Sequence, residues 1–558
     1  MRPQSLFEDT GKPIMIGTLV FIALVLGLSR YSLIVNPALE TGFDTSAKRY
    51  VRHQEPAFLS FSELKLLARS PKTPWLLQAK LQKFWSTPVI DNGAYYRKAR
   101  PVRPSSPEIG AYLRVASWNI EKSYHIAEAV RLFKSEKDFI GMLDPGAAPP
   151  GSPDREQVLG QRNRLAEADV LILQEMDIGV KRSNYVDAAR DLAKALDMNY
   201  AFGAEQLEID PVILGAEKIL FDDGTEDTEA TRHFAADPGK YKGVFGSAVL
   251  SRYPIKRARV FQLKTQPYDW YKQEKEKITF LEKSRRFGSR QVFENEITRE
   301  VKKGGRIFFR VDLDVPDLPG RTLTVINVHL EIKCRPEDRT RQMLEILKYI
   351  RKIKNPVSLA GDFNSTSQDL SPTSVTRTAK RTVENPTTWF SAAVTYLSPH
   401  ALAVNASRFF GSFTKNFQDP TAKDIPVIAP NKIKGLFDNI RAFRFSDGGV
   451  FDFRGDKARS VNGNDGTLAN SNERDFKGFK TTFSVKRPLG PWIGKYRLDW
   501  IFVKSDFLKD PDDFQGAYRF APHFAETLAE MNTSLKTQIS DHHPSVVDLP
   551  FKEPGMKN

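Results

Sequence analysis

Six short segments of the chain end an apolar run on side chains able to hold a cation, move a proton or bind an anion. Val115-Ala116-Ser117-Trp118 leads into Asn119 and Glu121, Val170-Leu171-Ile172-Leu173 into Gln174-Glu175, and Val325-Ile326-Asn327-Val328 into His329. Further along, Ser358-Leu359-Ala360-Gly361 leads into Asp362-Phe363-Asn364, Arg497-Leu498 into Asp499-Trp500, and Ser540 into Asp541-His542-His543-Pro544. Carboxylates and amide oxygens are hard donors that suit Mg²⁺ or Mn²⁺ and suit soft metals poorly. No Cys/His spacing of the zinc type accompanies them. A phosphodiester is anionic, so a hard cation that neutralises its oxygens helps water to attack. Imidazoles can then bind the pentavalent phosphorane while an aspartate positions or deprotonates the water. One such fragment alone is commonly structural; six in one chain call for an architecture that gathers them.

That architecture is α/β. The apolar runs Leu113–Trp118, Val170–Leu173, Ser247–Leu250, Leu323–Val328, Val357–Leu359 and Leu498–Val503 are short and rich in Val, Ile and Leu, as strands buried on both faces are. Val186–Leu196 and Arg339–Lys352 carry apolar residues at helical spacing, as do Ser60–Ala68 and Trp75–Trp85 nearer the N-terminus. Compatible strand directions would gather the polar ends on one rim, where α/β sheets bind ligands. Asp499 precedes the run Trp500–Val503 and His542 precedes Ser545–Val547, so adjacent strands are expected to set Asp499 beside His542. Pro101, Pro104 and Pro107 read as a boundary between a helical and linker region, 37–110, and the main domain, 111–550. Two inserts interrupt that domain, 252–310 and 371–480. The first holds 17 basic and 7 acidic side chains with interleaved aromatics, so it could cradle a polyanion or lie on an anionic membrane. Its other reading is a solvated helix burying Val292, Phe293, Ile297 and Val301. The second ends in the polar stretch Asp456–Asp475, read as a loop.

In order, SWNIE, LILQE, GSAVLSRYPI, NVHLE, GDFN, LDWIFV and SDHHP resemble the endonuclease/exonuclease/phosphatase superfamily, whose members include DNase I, exonuclease III, inositol polyphosphate 5-phosphatases and neutral sphingomyelinases. The resemblance spans 111–550 apart from the inserts. It implies a four-layer sandwich of two mixed β-sheets flanked by helices, with a divalent metal at the sheet rim. Motif by motif, it implies that Asn119 and Glu175 hold the metal with Asp541, and that Glu121 stands where some relatives have a further acidic ligand. Asp362 would orient or activate the water, with Asn364 and His329 on the phosphate. His542 would be the second catalytic imidazole, oriented and kept basic by Asp499. His543 is read as packing. His53, His125, His233, His400 and His523 lie outside the motifs.

Composition limits the remaining readings. At 558 residues, 40% hydrophobic and 27% charged, the chain is neither mostly disordered nor collagen-like nor a polytopic membrane protein. Its single cysteine, Cys334, excludes an intrachain disulfide. A net charge of +15 favours anionic partners. Between Lys12 and Arg30 lie 17 uncharged residues, and with Tyr31–Val35 the stretch 14–35 reads as a single-pass membrane anchor within residues 1–36. A signal peptide cleaved near Gly27-Leu28-Ser29, leaving an exported protein, is the competing reading. The expected activity is phosphodiester hydrolysis assisted by Mg²⁺ or Mn²⁺, with nucleic acid ahead of phospholipid. The alternatives are a sphingomyelinase-type phosphodiesterase, a phosphomonoesterase, or a non-catalytic, membrane-tethered polyanion-binding module. No protein partner is expected.

Overall fold

Side-chain alternation along the strands decides what meets what. In Gly110–Asn119, Leu113 and Val115 face one apolar cluster while Ala116 and Trp118 face another, the two-residue period of a strand. The computed structural model describes residues 50–107, 109–220, 223–275, 300–365, 434–454, 482–484, 495–505, 507–513 and 518–552. Two mixed sheets emerge. The first runs His53–Gln54, Val89–Asp91, Asn199–Glu208, Val244–Ser251, Val170–Ile178, Gly110–Asn119, Ser545–Pro550, His523–Thr527, with Ser105–Ser106 and Lys302–Gly304 paired at its side. The second runs Asp499–Lys504, Val357–Asp362, Thr322–His329, Ile307–Asp314, Ile255–Gln262. Each has one parallel pair, Gly110–Asn119 with Val170–Ile178 and Thr322–His329 with Val357–Asp362.

The sheets face each other across Val115, Ile172, Val249 and Val547 on one side and Phe309, Val311, Val325 and Ile501 on the other. Helices cover the outer faces. Ile126–Lys134 and Ala188–Leu196 bury Leu132 and Leu192 with the first sheet's outer residues, and Pro336–Ile350 and Lys434–Ala442 bury Ile346 and Ile440 with the second's. Each such side chain contributes about 1.5–3 kcal/mol when fully buried, so a few residues per helix suffice to hold a layer.

The expected boundary at residue 110 does not divide the structure: Val51–Asn558 form one compact unit. Val89–Asp91 pairs with Asn199–Glu208, and the helices Phe61–Arg69 and Trp75–Ser86 bury Leu64, Leu67, Leu81 and Phe84 in the first sheet's outer core. Ser60 starts the first of these helices with a capping box to Glu63. The first insert is also narrower than expected. Ile255–Gln262 and Ile307–Asp314 are antiparallel strands of the second sheet, and basic Lys256, Arg257 and Arg259 hide the first of them by alternating with Ile255, Ala258 and Val260. Residues 276–299, and with them Val292, Phe293 and Ile297, lie outside the described residues; Val301 is buried. So do 371–433 and 455–480 of the second insert, whose described part packs Leu436, Phe437 and Phe451 into the core. Residues 14–35 also lie outside the described residues, and among those described no helix is long and apolar enough to cross a membrane.

Candidate active site

Strand parity carries the polar residues to one place. Val115, Ile172, Val325, Ala360 and Ile501 face the gap between the sheets. Counting on in twos from them reaches Asn119, Gln174, Asn327 and His329, and Asp362, and counting back reaches Asp499. Register aligns them: Asn119 is opposite Gln174 in one sheet, and His329, Asp362 and Asp499 are neighbours across three strands of the other. Gln174 Nε2 donates to Asn327 Oδ1 at 2.8 Å, and Asn327 Nδ2 donates to the carbonyls of Leu173 and Ala248, each at 2.9 Å. This polar staple ties the sheets together just behind the rim.

Glu175 would point away by simple alternation. A β-bulge between Leu173 and Met176, with Glu175 at φ 60°, re-aims it. Beyond Asn119 the turn Glu121, Lys122, Ser123 has φ 46°, 52° and 55°, a left-handed run costing about 1–2 kcal/mol per residue. Hydrogen bonds offset that cost. Lys122 N donates to Glu175 Oε2 at 2.9 Å, Ser123 Oγ to Glu175 O at 3.1 Å, and Glu121 N to Asn119 Oδ1 at 3.0 Å. Asp541 N donates to Glu121 Oε2 at 3.1 Å, which brings the SDHHP turn to the same spot. Gly361 is required where the parallel strands approach: it has φ 139°, and a Cβ there would sit 1.9 Å from Val328 O.

Asp362 is the hub. Its Oδ1 accepts the Asn364 N–H at 2.7 Å. Its Oδ2 accepts from Asn119 Nδ2 at 3.1 Å and has His329 Nε2 at 3.6 Å and His542 Nε2 at 3.7 Å. Both imidazoles lie beyond direct hydrogen-bond range of that oxygen. His329 Nε2 also lies 3.7 Å from Glu175 Oε1. Asn364 donates one amide N–H to Leu330 O at 2.9 Å, holding the backbone beyond His329.

The two histidines are held in opposite states. Burial drives the His329 pKa well below the usual imidazole value, and the Arg306 guanidinium at 2.8 Å from Nδ1 adds to this. For His542 burial works the same way, but the Asp499 and Asp362 carboxylates outweigh it and hold the pKa well above that value. Its Nδ1 is 2.8 Å from Asp499 Oδ2. This contact arises across the two sheets, not between adjacent strands of one: Asp499 heads a strand of the second sheet and His542 precedes a strand of the first. Burial is also the main reason that the Asp362 pKa is pushed up, to about 7. Groups displaced in opposite directions at one site are the usual arrangement for acid–base work.

Ligand atoms of Asp362, Asp499 and His542 lie within 4.8 Å of one another, a spacing that could hold a metal. Within this group Asp499 Oδ2 already takes His542 Nδ1 at 2.8 Å, and the two carboxylates favour the protonated ring, which is a poor metal ligand. Asn119, Glu121, Glu175 and Asp541, the ligands expected from the sequence, are all oxygen donors joined through backbone hydrogen bonds, but their carboxylates do not form a comparably close group among the described residues. Trp118 Nε1 and Asn532 Nδ2 donate to His542 O at 3.0 and 3.1 Å. His543 is buried beside Asn532 and Ser484, and His53 pairs with Asp91 near the surface. Sequence reasoning missed Arg306, Glu205 and Thr482. Thr482 Oγ1 accepts the N–H of Asp499 at 3.0 Å, and neither it nor the others ends an apolar strand.

The endonuclease/exonuclease/phosphatase family model matches residues 116–542. No curated protein matches the chain. Among solved structures it is similar to an endonuclease/exonuclease/phosphatase from Beutenbergia cavernae, at 16% identity over 80% of this chain and 72% of that one, with a TM-score of 0.35. It is also similar to the human Nocturnin catalytic domain with bound sulfate, at 13% identity over 78% and 93%, with a TM-score of 0.32. A family protein from Bacteroides thetaiotaomicron matches at 14% identity over 78% and 97%, with a TM-score of 0.29. The family model's match over most of the length, with the motif residues gathered at one rim, identifies the chain as a member of the endonuclease/exonuclease/phosphatase family.

Proposed function

We propose that the chain is a phosphodiesterase that uses Mg²⁺ or Mn²⁺, with nucleic acid as its first substrate class. The observation that carries this reading is the meeting of His329, Asp362 and the Asp499–His542 pair beside a set of oxygen donors. Asn119, Glu121, Glu175 and Asp541 would hold the cation, which when bound neutralises charge on the phosphoryl oxygens. Asp362 takes the proton of the attacking water, its raised pKa suiting it to neutral pH. His542 delivers a proton from Nε2 to the leaving oxygen, with Asp499 fixing the ring through Nδ1. His329 donates from Nε2 to a phosphoryl oxygen.

Nucleic acid stands ahead of phospholipid because the chain's net charge of +15 suits a polymer with a phosphate at every step. A sphingomyelinase-type phosphodiesterase or a phosphomonoesterase would use the same rim. The binding-module reading is weaker, since described cations of the basic segment are matched: Arg257 by Asp312, Lys256 by Asp314, Lys302 by Glu300. Tethering through residues 14–35 belongs to this proposal, and a chain beginning at residue 37 should leave the membrane fraction. Hydrolysis of DNA, RNA, sphingomyelin and inositol phosphates, each with Mg²⁺, Mn²⁺ or chelator, tests the reading. Metal-dependent cleavage of nucleic acid supports it, and activity confined to monoesters overturns the diester assignment.

A further inference from the structure

We propose that Arg306 is a positioning residue that fixes the tautomer of His329, and that Glu331 and Trp270 hold Arg306 in place for it; this rests on the phosphoesterase reading. A guanidinium has only donors. With Arg306 Nη1 2.8 Å from His329 Nδ1, that nitrogen must accept, so the ring hydrogen sits on Nε2. Nε2 is the atom that faces the gap beside Asp362 and Glu175, at 3.6 and 3.7 Å from their oxygens. The opposite tautomer would turn a bare lone pair toward a phosphoryl oxygen.

The arrangement is built and enclosed. Arg306 is 4% exposed. Its Nη1 lies 3.3 Å from Glu205 Oε2 and its Nε 3.3 Å from Glu331 Oε2. Glu331 is in turn held by Trp270 Nε1 at 3.0 Å on Oε2 and by Lys333 N at 3.0 Å on Oε1. A buried guanidinium needs its planar fork satisfied on several sides, which a lysine ammonium could not reproduce. The segment around Trp270 thus serves the rim from behind. The two imidazoles are set oppositely, Nδ1 of His329 accepting from Arg306 and Nδ1 of His542 donating to Asp499, so His329 is a fixed donor and the proton for the leaving group resides on His542.

The test begins with the full chain labelled with ¹⁵N at histidine, using His329→Gln to assign the ring signals. The expected spectrum shows His329 with hydrogen on Nε2 and a bare Nδ1; hydrogen on Nδ1 overturns the proposal. For function, Arg306→Met is combined with Glu205→Gln and Glu331→Gln so that neither buried carboxylate loses its guanidinium while charged, and circular dichroism checks the fold. The expected result is a loss in kcat of roughly 10²-fold with KM little changed, as for removal of one aimed donor. Adding His329→Ala should then cost less than about threefold more, because Arg306 acts through His329. Independent, multiplying losses would show a purely structural role. If the unaltered chain cleaves no phosphoester, the phosphoesterase reading fails, and the ring spectrum still decides the tautomer.

Discussion

Replacing Asp499 by asparagine should disable the site while leaving its shape in place. Asp499 Oδ2 is 2.8 Å from His542 Nδ1, Asp499 is fully buried, and its Oδ1 has no hydrogen-bond partner among the described residues. With charge centres about 4 Å apart and an effective dielectric of about 20, the pair is worth roughly 4 kcal/mol. Burial alone would depress the imidazole, so that attraction is what keeps His542 protonated near neutral pH. Without it, the alkaline limb of the pH–rate profile should move to lower pH. Turnover should fall roughly 10²–10⁴-fold. The assay is the initial rate on a phosphodiester with Mg²⁺ across pH 5 to 10, with His542→Ala and the double variant alongside. The double variant should be little worse than His542→Ala, since the aspartate works through the histidine. Independent losses, or an unmoved alkaline limb, would refute the relay.

Glu175→Ala should lower activity by at least about 10²-fold and abolish its response to Mg²⁺ titration, with the circular dichroism spectrum unchanged. Gly361→Ala should cost on the order of 3 kcal/mol or more in urea unfolding, because its Cβ would meet Val328 O at 1.9 Å with φ at 139°. His523 provides a pH test away from the site: burial lowers its pKa to about 4. Its folded pKa lies below the unfolded value of about 6.5, so the unfolded chain binds the extra proton and stability falls as pH drops from about 6.5 to 4. Urea unfolding at pH 7 and pH 5 should therefore show about 2 kcal/mol more acid destabilisation in the native chain than in His523→Gln.

The rim was legible in the sequence because a strand buried on both faces must be an apolar run, and the polar residue ending it at the right parity must face the gap between sheets. Asn119, His329, Asp362 and Asp499 all follow that rule. Glu175 does not, since the bulge that turns it inward leaves no trace in residue type. The edge strand Ile255–Gln262 was hidden by the basic residues of its exposed face, and Val89–Asp91 is too short to show a period. Arg306 was invisible for another reason. It is one of many basic residues in its segment, and its role depends on a contact with His329 that only the folded sheet creates.

Isotope incorporation bears on the whole scheme at once. The purified chain is stripped with chelator, restored with Mg²⁺, and given a phosphodiester in ¹⁸O-labelled water. The expected result is turnover that depends on restored metal, is lost in His542→Ala, and places one ¹⁸O in the monoester product. Full turnover in chelator, or product phosphate without the label, would contradict metal-assisted attack of water at this rim.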